Sequence, residues 1–259
     1  MPVADHQGVR IYYEVEGEGS PLLLAHGLTG DTTFWRTYGY MEPLKDKFRV
    51  ILFDARGHGK SDKPHEPAAY DLRLMAGDAL AVLDALGIDR AHFWGYSMGG
   101  AIGLGLARDR PDRMISLIAG GVDPLYSPGE RVEPNPLLGI FRRGLAEGPD
   151  ALVEGMRVWA GSVNPHWEER LRALDLEAMV AYLDPARPRA SFMNAPSRMN
   201  LPCLLYAGEL EGAAHRNGPA AARQMPHARF VSLPGLDHGG AGVTVDSIMP
   251  HVLAFLADL

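Results

Sequence analysis

An α/β fold built on a mostly parallel sheet is predicted by three observations in this 259-residue sequence. Short apolar runs of strand length alternate with amphipathic stretches of helical spacing, the order that repeated βα units produce. The runs are apolar throughout rather than alternating, as strands covered on both faces are. One long segment, from Asp123 to about Arg198, breaks the rhythm and carries no strand pattern.

The elements follow in order. Gly8 to Glu16 alternates like part of an early hairpin. Leu22–Ala25 reads as a strand, Thr33–Leu44 as a helix and Arg49–Asp54 as the next strand. Tyr70–Leu86 brings Leu72, Met75, Ala79, Leu80, Leu83 and Leu86 close to one helical face, with Gly87 as its stop. Ala91–Trp94 is a strand, Gly100–Arg108 a helix, and Met114–Ala119 a strand again. Prolines and glycines then frame amphipathic stretches near Leu137–Leu145, Leu152–Trp159 and Trp167–Leu183, read as a helical lid inserted after the sixth strand. The pattern resumes with the strand Leu201–Ala207, a helix near Pro219–Met225, the strand Arg229–Leu233 and a last helix near Val245–Leu259. Residues 1–122 and 199–259 are thus expected to form the core, and residues 123–198 the lid.

Composition excludes several functions. Hydrophobic residues at 46% and charged ones at 22% are ordinary for a globular protein, and a net charge of −7 disfavours nucleic acid, whose phosphates need a basic face. No apolar run reaches membrane-spanning length, and Met1-Pro-Val-Ala-Asp-His does not open like a signal peptide. Cys203 is the single cysteine, which suits a reducing cytoplasm. No H-E-x-x-H or cysteine cluster suggests a metal, and no Gly-Lys-Ser/Thr follows the glycines near Gly99, so neither metal nor cofactor is expected.

The chemistry concentrates at Gly95-Tyr96-Ser97-Met98-Gly99, a G-x-S-x-G sequence between strand and helix. Such a turn is tight enough to strain the serine backbone and needs small flanking residues. It lifts the hydroxyl into the open at a helix N-terminus, where a developing anion is favoured. A serine nucleophile of this kind needs a base, an orienting acid and two oxyanion donors, with the acid and then the histidine following it in the chain. His238, in the loop after the last strand, is placed to be the base.

With these residues in view, the chain resembles the α/β-hydrolases over nearly its whole length. The resemblance rests on His26-Gly27, on Asp54-Ala-Arg56-Gly57-His58-Gly59-Lys-Ser61, on the Gly95–Gly99 elbow and on His238. It implies an oxyanion hole from the backbone N–H groups of Leu28 and Met98, a structural role for the Arg56–Ser61 turn, and local capping or pairing by Asp54. His26 is read chiefly as holding its loop. The family commonly places an aspartate three residues past a glycine after the seventh strand; here Gly208-Glu209-Leu210-Glu211 puts a glutamate there. Glu211 is the expected acid, Asp123 the alternative, Glu209 a third choice, and Asp237 only a neighbour of the base. A serine nucleophile argues against the dehalogenase and epoxide hydrolase branches, which attack with a carboxylate.

The resemblance implies a small-molecule substrate shaped by the lid and the loop after the third strand. His26, Phe34, Trp35, Tyr96, Phe141 and Trp159 are the residues expected around it, in an apolar pocket suited to short or medium acyl or aryl esters. Carboxylic ester hydrolysis through an acyl-enzyme is the leading expectation. Enol-lactone hydrolysis, carbon–carbon bond hydrolysis and perhydrolysis use near-identical residues, and a non-catalytic receptor on the same fold is the alternative of a different kind. Oligomeric state is not legible.

Overall fold

The computed structural model describes residues 1–127, 135–189 and 191–259. The proline- and glycine-containing stretch at 128–134, part of the expected lid entrance, lies outside the described residues. Strands β1 (Val3–His6), β2 (Val9–Glu16) and β3 (Ser20–Ala25) lead to helices α1 (Thr33–Thr37) and α2 (Glu42–Lys45) and strand β4 (Phe48–Phe53). Helix α3 (Leu72–Ala85), strand β5 (Ala91–Tyr96), helix α4 (Met98–Asp109) and strand β6 (Met114–Gly120) follow. Four helices come next: α5 (Pro136–Glu147), α6 (Pro149–Ala160), α7 (Pro165–Arg172) and α8 (Leu176–Leu183). The chain closes with β7 (Cys203–Gly208), α9 (Gly212–Gln224), β8 (Ala228–Leu233), α10 (His238–Val243) and α11 (Val245–Ala257).

The eight strands form one sheet in the order β1-β2-β4-β3-β5-β6-β7-β8. β2 runs antiparallel to both its neighbours, and every pair from β4 to β8 is parallel. Successive side chains alternate between faces. Leu23, Ala25, Phe93 and Leu117 therefore join one core with α3, α4 and the α5–α8 insertion. Leu22, Leu24, Trp94 and Ile118 join a second core with α1, α2 and α11. Both faces are covered, which is why the strands read as unbroken apolar runs. Among the described residues, no helix is long and apolar enough to cross a membrane.

Three helices differ from the sequence expectation. The single helix expected over Thr33–Leu44 is divided at Gly39, whose φ of +80° places it in the left-handed region. The stretch Trp167–Leu183 is two helices, because Asp175 turns its carboxylate onto the Ala178 N–H and caps a new start. α9 begins at Gly212 and carries Pro219 inside it. Proline costs a helix one bond, and Gly218 beside it lies close against the Phe230 ring, where a Cβ would be 2.2 Å from the ring edge.

Parallel register pairs Ala25 with Gly95, Gly95 with Ala119, Gly120 with Tyr206 and Gly208 with Leu233. The carboxyl ends of five strands are thereby level, and the loops that leave them meet at one edge, where open α/β sheets place their sites.

Candidate active site

Ser97 sits between β5 and α4 with φ +54° and ψ −110°. For a residue with a Cβ this region costs on the order of 1–3 kcal/mol and persists only where the surroundings over-determine it. Here they do. The Ser97 N–H is held by the Gly120 carbonyl at 2.8 Å. A Cβ on Gly95 would lie 2.1 Å from the Gly99 carbonyl oxygen, and one on Gly99 would lie 2.0 Å from that of Ala25. Glycine at both positions lets the strand, the helix and β3 close to this distance. Met98 opens α4, so its N–H belongs to the first-turn donors that no carbonyl of the helix can reach.

His238 is the first residue of α10, whose start is capped by Asp237 accepting the Gly240 N–H at 2.7 Å. Its Nε2 lies 2.9 Å from Ser97 Oγ and its Nδ1 2.5 Å from Glu211 Oε1. The Glu211 side chain is 1% exposed and the His238 side chain 43%. Glu211 Oε2 accepts the Gly208 N–H at 2.5 Å, so both oxygens are engaged. An ionised carboxylate only accepts, which places the histidine proton on Nδ1 and leaves Nε2 free to accept the serine hydroxyl. Tyr96 supports the base from below: its hydroxyl donates to the His238 carbonyl, and the two rings stand 5.3 Å apart.

The loop after β3 lies against the serine, a Cβ on Gly27 being 3.4 Å from Ser97 Cβ. His26 is buried; its Nε2 accepts the Ala55 N–H at 3.1 Å, so its proton sits on Nδ1 and is donated to the Gly27 carbonyl at 2.8 Å. Burial lowers the His26 pKa and keeps the ring neutral. The Gly30 N–H reaches the same carbonyl at 2.9 Å. In a planar trans peptide the N–H opposes the C=O, so fixing the Gly27 carbonyl aims the Leu28 N–H the other way. Asp54 ties the neighbouring turn to this loop by accepting the Thr32 and Lys60 N–H groups at 2.6 and 2.7 Å, and burial raises its pKa.

Ser97, His238 and Glu211 are therefore brought into one hydrogen-bonded chain, with Met98 next in sequence and Gly27, the residue before Leu28, lying against the serine. Asp123 is not part of it. Its Oδ1 accepts from Asn217 Nδ2 at 3.0 Å and from the Leu125 N–H at 2.9 Å, which corrects its candidacy as the alternative acid. Glu209 accepts the Gly235 N–H at 2.9 Å. Two expected substrate residues are packing residues instead: Trp35 is buried against Tyr40 and Trp94, with ring centroids 5.1 and 5.3 Å away, and Phe141, on helix α5 of the insertion, is fully buried. Phe34 packs edge-on against Trp35 and Tyr38, and Trp159 is 43% exposed near the end of α6. Sequence reasoning missed the Tyr96 hydroxyl contact and the attachment of α7 to residue Thr29. Neither has a local signal, since each joins residues more than a hundred positions apart.

This fold and this arrangement define a hydrolase class. The family model of the alpha/beta hydrolase fold matches residues 20–202, and the chain belongs to that family. It is 30% identical over its full length, and over 99% of the relative, to a protein of Azorhizobium caulinodans with the provisional name carbamate hydrolase RutD. A protein of the same name from Caulobacter sp. is 40% identical, but over 42% of this chain and 41% of the relative. Among solved structures, the enol-lactonase of Burkholderia xenovorans LB400 superposes with a TM-score of 0.82 over 99% of this chain and 100% of that one, at 24% identity. A thermophilic esterase of Thermogutta terrifontis superposes with a TM-score of 0.78 over 99% and 96%, at 25% identity.

Proposed function

We infer that the protein is a serine hydrolase that cleaves carboxylic esters of small to medium, mainly apolar substrates through an acyl-enzyme. The observation that carries this is the continuous chain from Ser97 Oγ through His238 to the buried Glu211 carboxylate. Ser97 attacks the ester carbonyl while His238 Nε2 takes its proton. The oxyanion is received by the Leu28 and Met98 N–H groups, each such donor contributing roughly 3–4 kcal/mol of barrier lowering. Collapse expels the alcohol, which leaves with the proton from His238, and water then repeats the sequence in reverse. Glu211 holds the imidazole tautomer and offsets the charge of the imidazolium.

In this reading residues 123–198 serve as the lid and the protein acts on small molecules in the cytoplasm. Partly buried apolar side chains such as Leu28, Leu137 and Ile140, packed against the core that sheet and insertion share, support an apolar substrate. The full-length likeness to one relative named for carbamate hydrolysis favours a second reading, in which the acyl group carries nitrogen on the carbonyl carbon. Release of p-nitrophenol from acetate, butyrate and octanoate esters, by the protein and by Ser97→Ala, tests the first reading. Turnover lost in the variant supports it. A folded protein that ignores all three esters but turns over an aryl carbamate or a lactone moves the assignment to that substrate.

A further inference from the structure

Helix α7 belongs to the insertion, yet its side chains grip the segment that leaves the loop after β3. Arg170 Nη2 donates to the Thr29 carbonyl at 2.5 Å, and Nη1 to Asp31 Oδ1 at 2.9 Å and Thr33 Oγ1 at 3.1 Å. Trp167 Nε1 donates to Thr29 Oγ1 at 3.1 Å. Further along, His166 Nε2 lies 3.1 Å from Thr37 Oγ1. The Arg170 side chain is 11% exposed, so its charge is spent on these partners rather than on solvent. Burial alone would raise the Asp31 pKa, but Arg170 and the Thr33 bonds outweigh it and hold the carboxyl below its ordinary value.

What α7 holds is a strained residue. Thr29 is buried and has φ +66°, a left-handed conformation that is a steric outlier for a β-branched side chain. Its carbonyl and its hydroxyl are both taken by α7. Leu28 lies between two fixed carbonyls: that of Gly27, held by His26 and Gly30, and that of Thr29, held by Arg170.

We propose that Arg170 and Trp167 are positioning residues for the oxyanion loop: α7 keeps Thr29 left-handed and thereby sets the direction of the Leu28 N–H. The insertion is then part of the reacting geometry, and displacing α7 disables the oxyanion site without touching Ser97, His238 or Glu211. This rests on the acyl-enzyme reading above.

The test uses Arg170→Met, Arg170→Lys and Trp167→Phe, with Arg172→Met as control, because Arg172 on the same helix pairs, among the described residues, with half-buried Glu168 and exposed Asp150 and not with the loop after β3. Two readouts are taken: kcat and KM on p-nitrophenyl acetate, and the rate at which a fluorophosphonate labels Ser97, which needs the oxyanion site whatever the natural substrate. Small displacements of catalytic groups cost up to about 100-fold, so Arg170→Met is expected to lose about 10–100-fold in both kcat and labelling rate with KM nearly unchanged. Arg170→Lys recovers part of the loss, Trp167→Phe shows a smaller one, and Arg172→Met shows none. Wild-type kcat and labelling in Arg170→Met overturn the inference, as does a rise in KM with kcat held. If Arg170→Met does not fold, Trp167→Phe, which removes the indole N–H along with part of the ring but keeps the charge of Arg170, decides by the same readouts. A wild-type protein that the fluorophosphonate does not label overturns the acyl-enzyme reading itself, and this inference with it. Labelled wild type with equally labelled variants removes only the inference.

Discussion

Replacing Glu211 by glutamine is the most informative single perturbation, because both carboxylate oxygens accept from fixed donors. Oε1 takes the His238 Nδ1–H and Oε2 takes the Gly208 N–H, each at 2.5 Å, in a side chain 1% exposed. Glutamine is nearly isosteric but offers only one acceptor end. If its oxygen stays on His238, its NH₂ group faces the Gly208 N–H, and a buried donor without a partner costs about 1–3 kcal/mol of stability. If it turns over, the NH₂ faces His238, the proton moves to Nε2, and the imidazole can no longer accept from Ser97. Holding a serine triad in that wrong tautomer lowers kcat by about 10⁴, equivalent to roughly 5.5 kcal/mol of barrier. Both arrangements also remove the negative charge that stabilises the imidazolium, so kcat is expected to fall by at least about 10²–10³. The assay is p-nitrophenyl butyrate hydrolysis, beside thermal unfolding to show that the variant is folded. A folded Glu211→Gln protein within about tenfold of wild-type kcat would refute the reasoning, since the ~10⁴ loss for a mispaired triad would then be absent.

Asp123→Asn is expected to leave kcat within about twofold, because the aspartate serves Asn217 and the Leu125 N–H, and asparagine retains an acceptor for them. An inactive variant in the same esterase assay would return the acid role to Asp123. Gly99→Ala places a Cβ 2.0 Å from the Ala25 carbonyl oxygen, so urea unfolding should show a loss of about 3 kcal/mol or more, or no folded protein. His58 is fully buried, and burial pushes its pKa down to about 3, so it stays neutral in the fold but gains a proton when unfolded below its ordinary 6.5. Stability is therefore intact above that value and lost as pH falls toward 3. Between pH 7.5 and 5.0 the unfolding free energy should drop by about 2 kcal/mol from this group, with buried His26 acting in the same direction. Urea unfolding at the two pH values measures it, and a flat profile would contradict the assignment.

The sequence by itself determined the parts that depend on short-range rules. Unbroken apolar runs mark strands because both faces of the sheet are covered, and the elbow is legible because its pattern spans only five residues, with Gly95 closing on the Gly99 carbonyl. The order serine, acid, histidine along the chain narrows the candidates to a few loops, but Glu211 and Asp123 both follow strands at the same sheet edge. Only the tertiary structure decided between them, by giving Glu211 to His238 and Asp123 to Asn217. It also divided the helices at Gly39 and Asp175, and it separated apolar residues that look alike in sequence, burying Trp35 and Phe141 while leaving Trp159 exposed. The hold of Arg170 and Trp167 on Thr29 spans 138 to 141 positions and has no pattern in any local window. Hydrophobic periodicity and turn sterics act between neighbours in the chain, whereas hydrogen-bond partners of buried charges are chosen after the elements have packed.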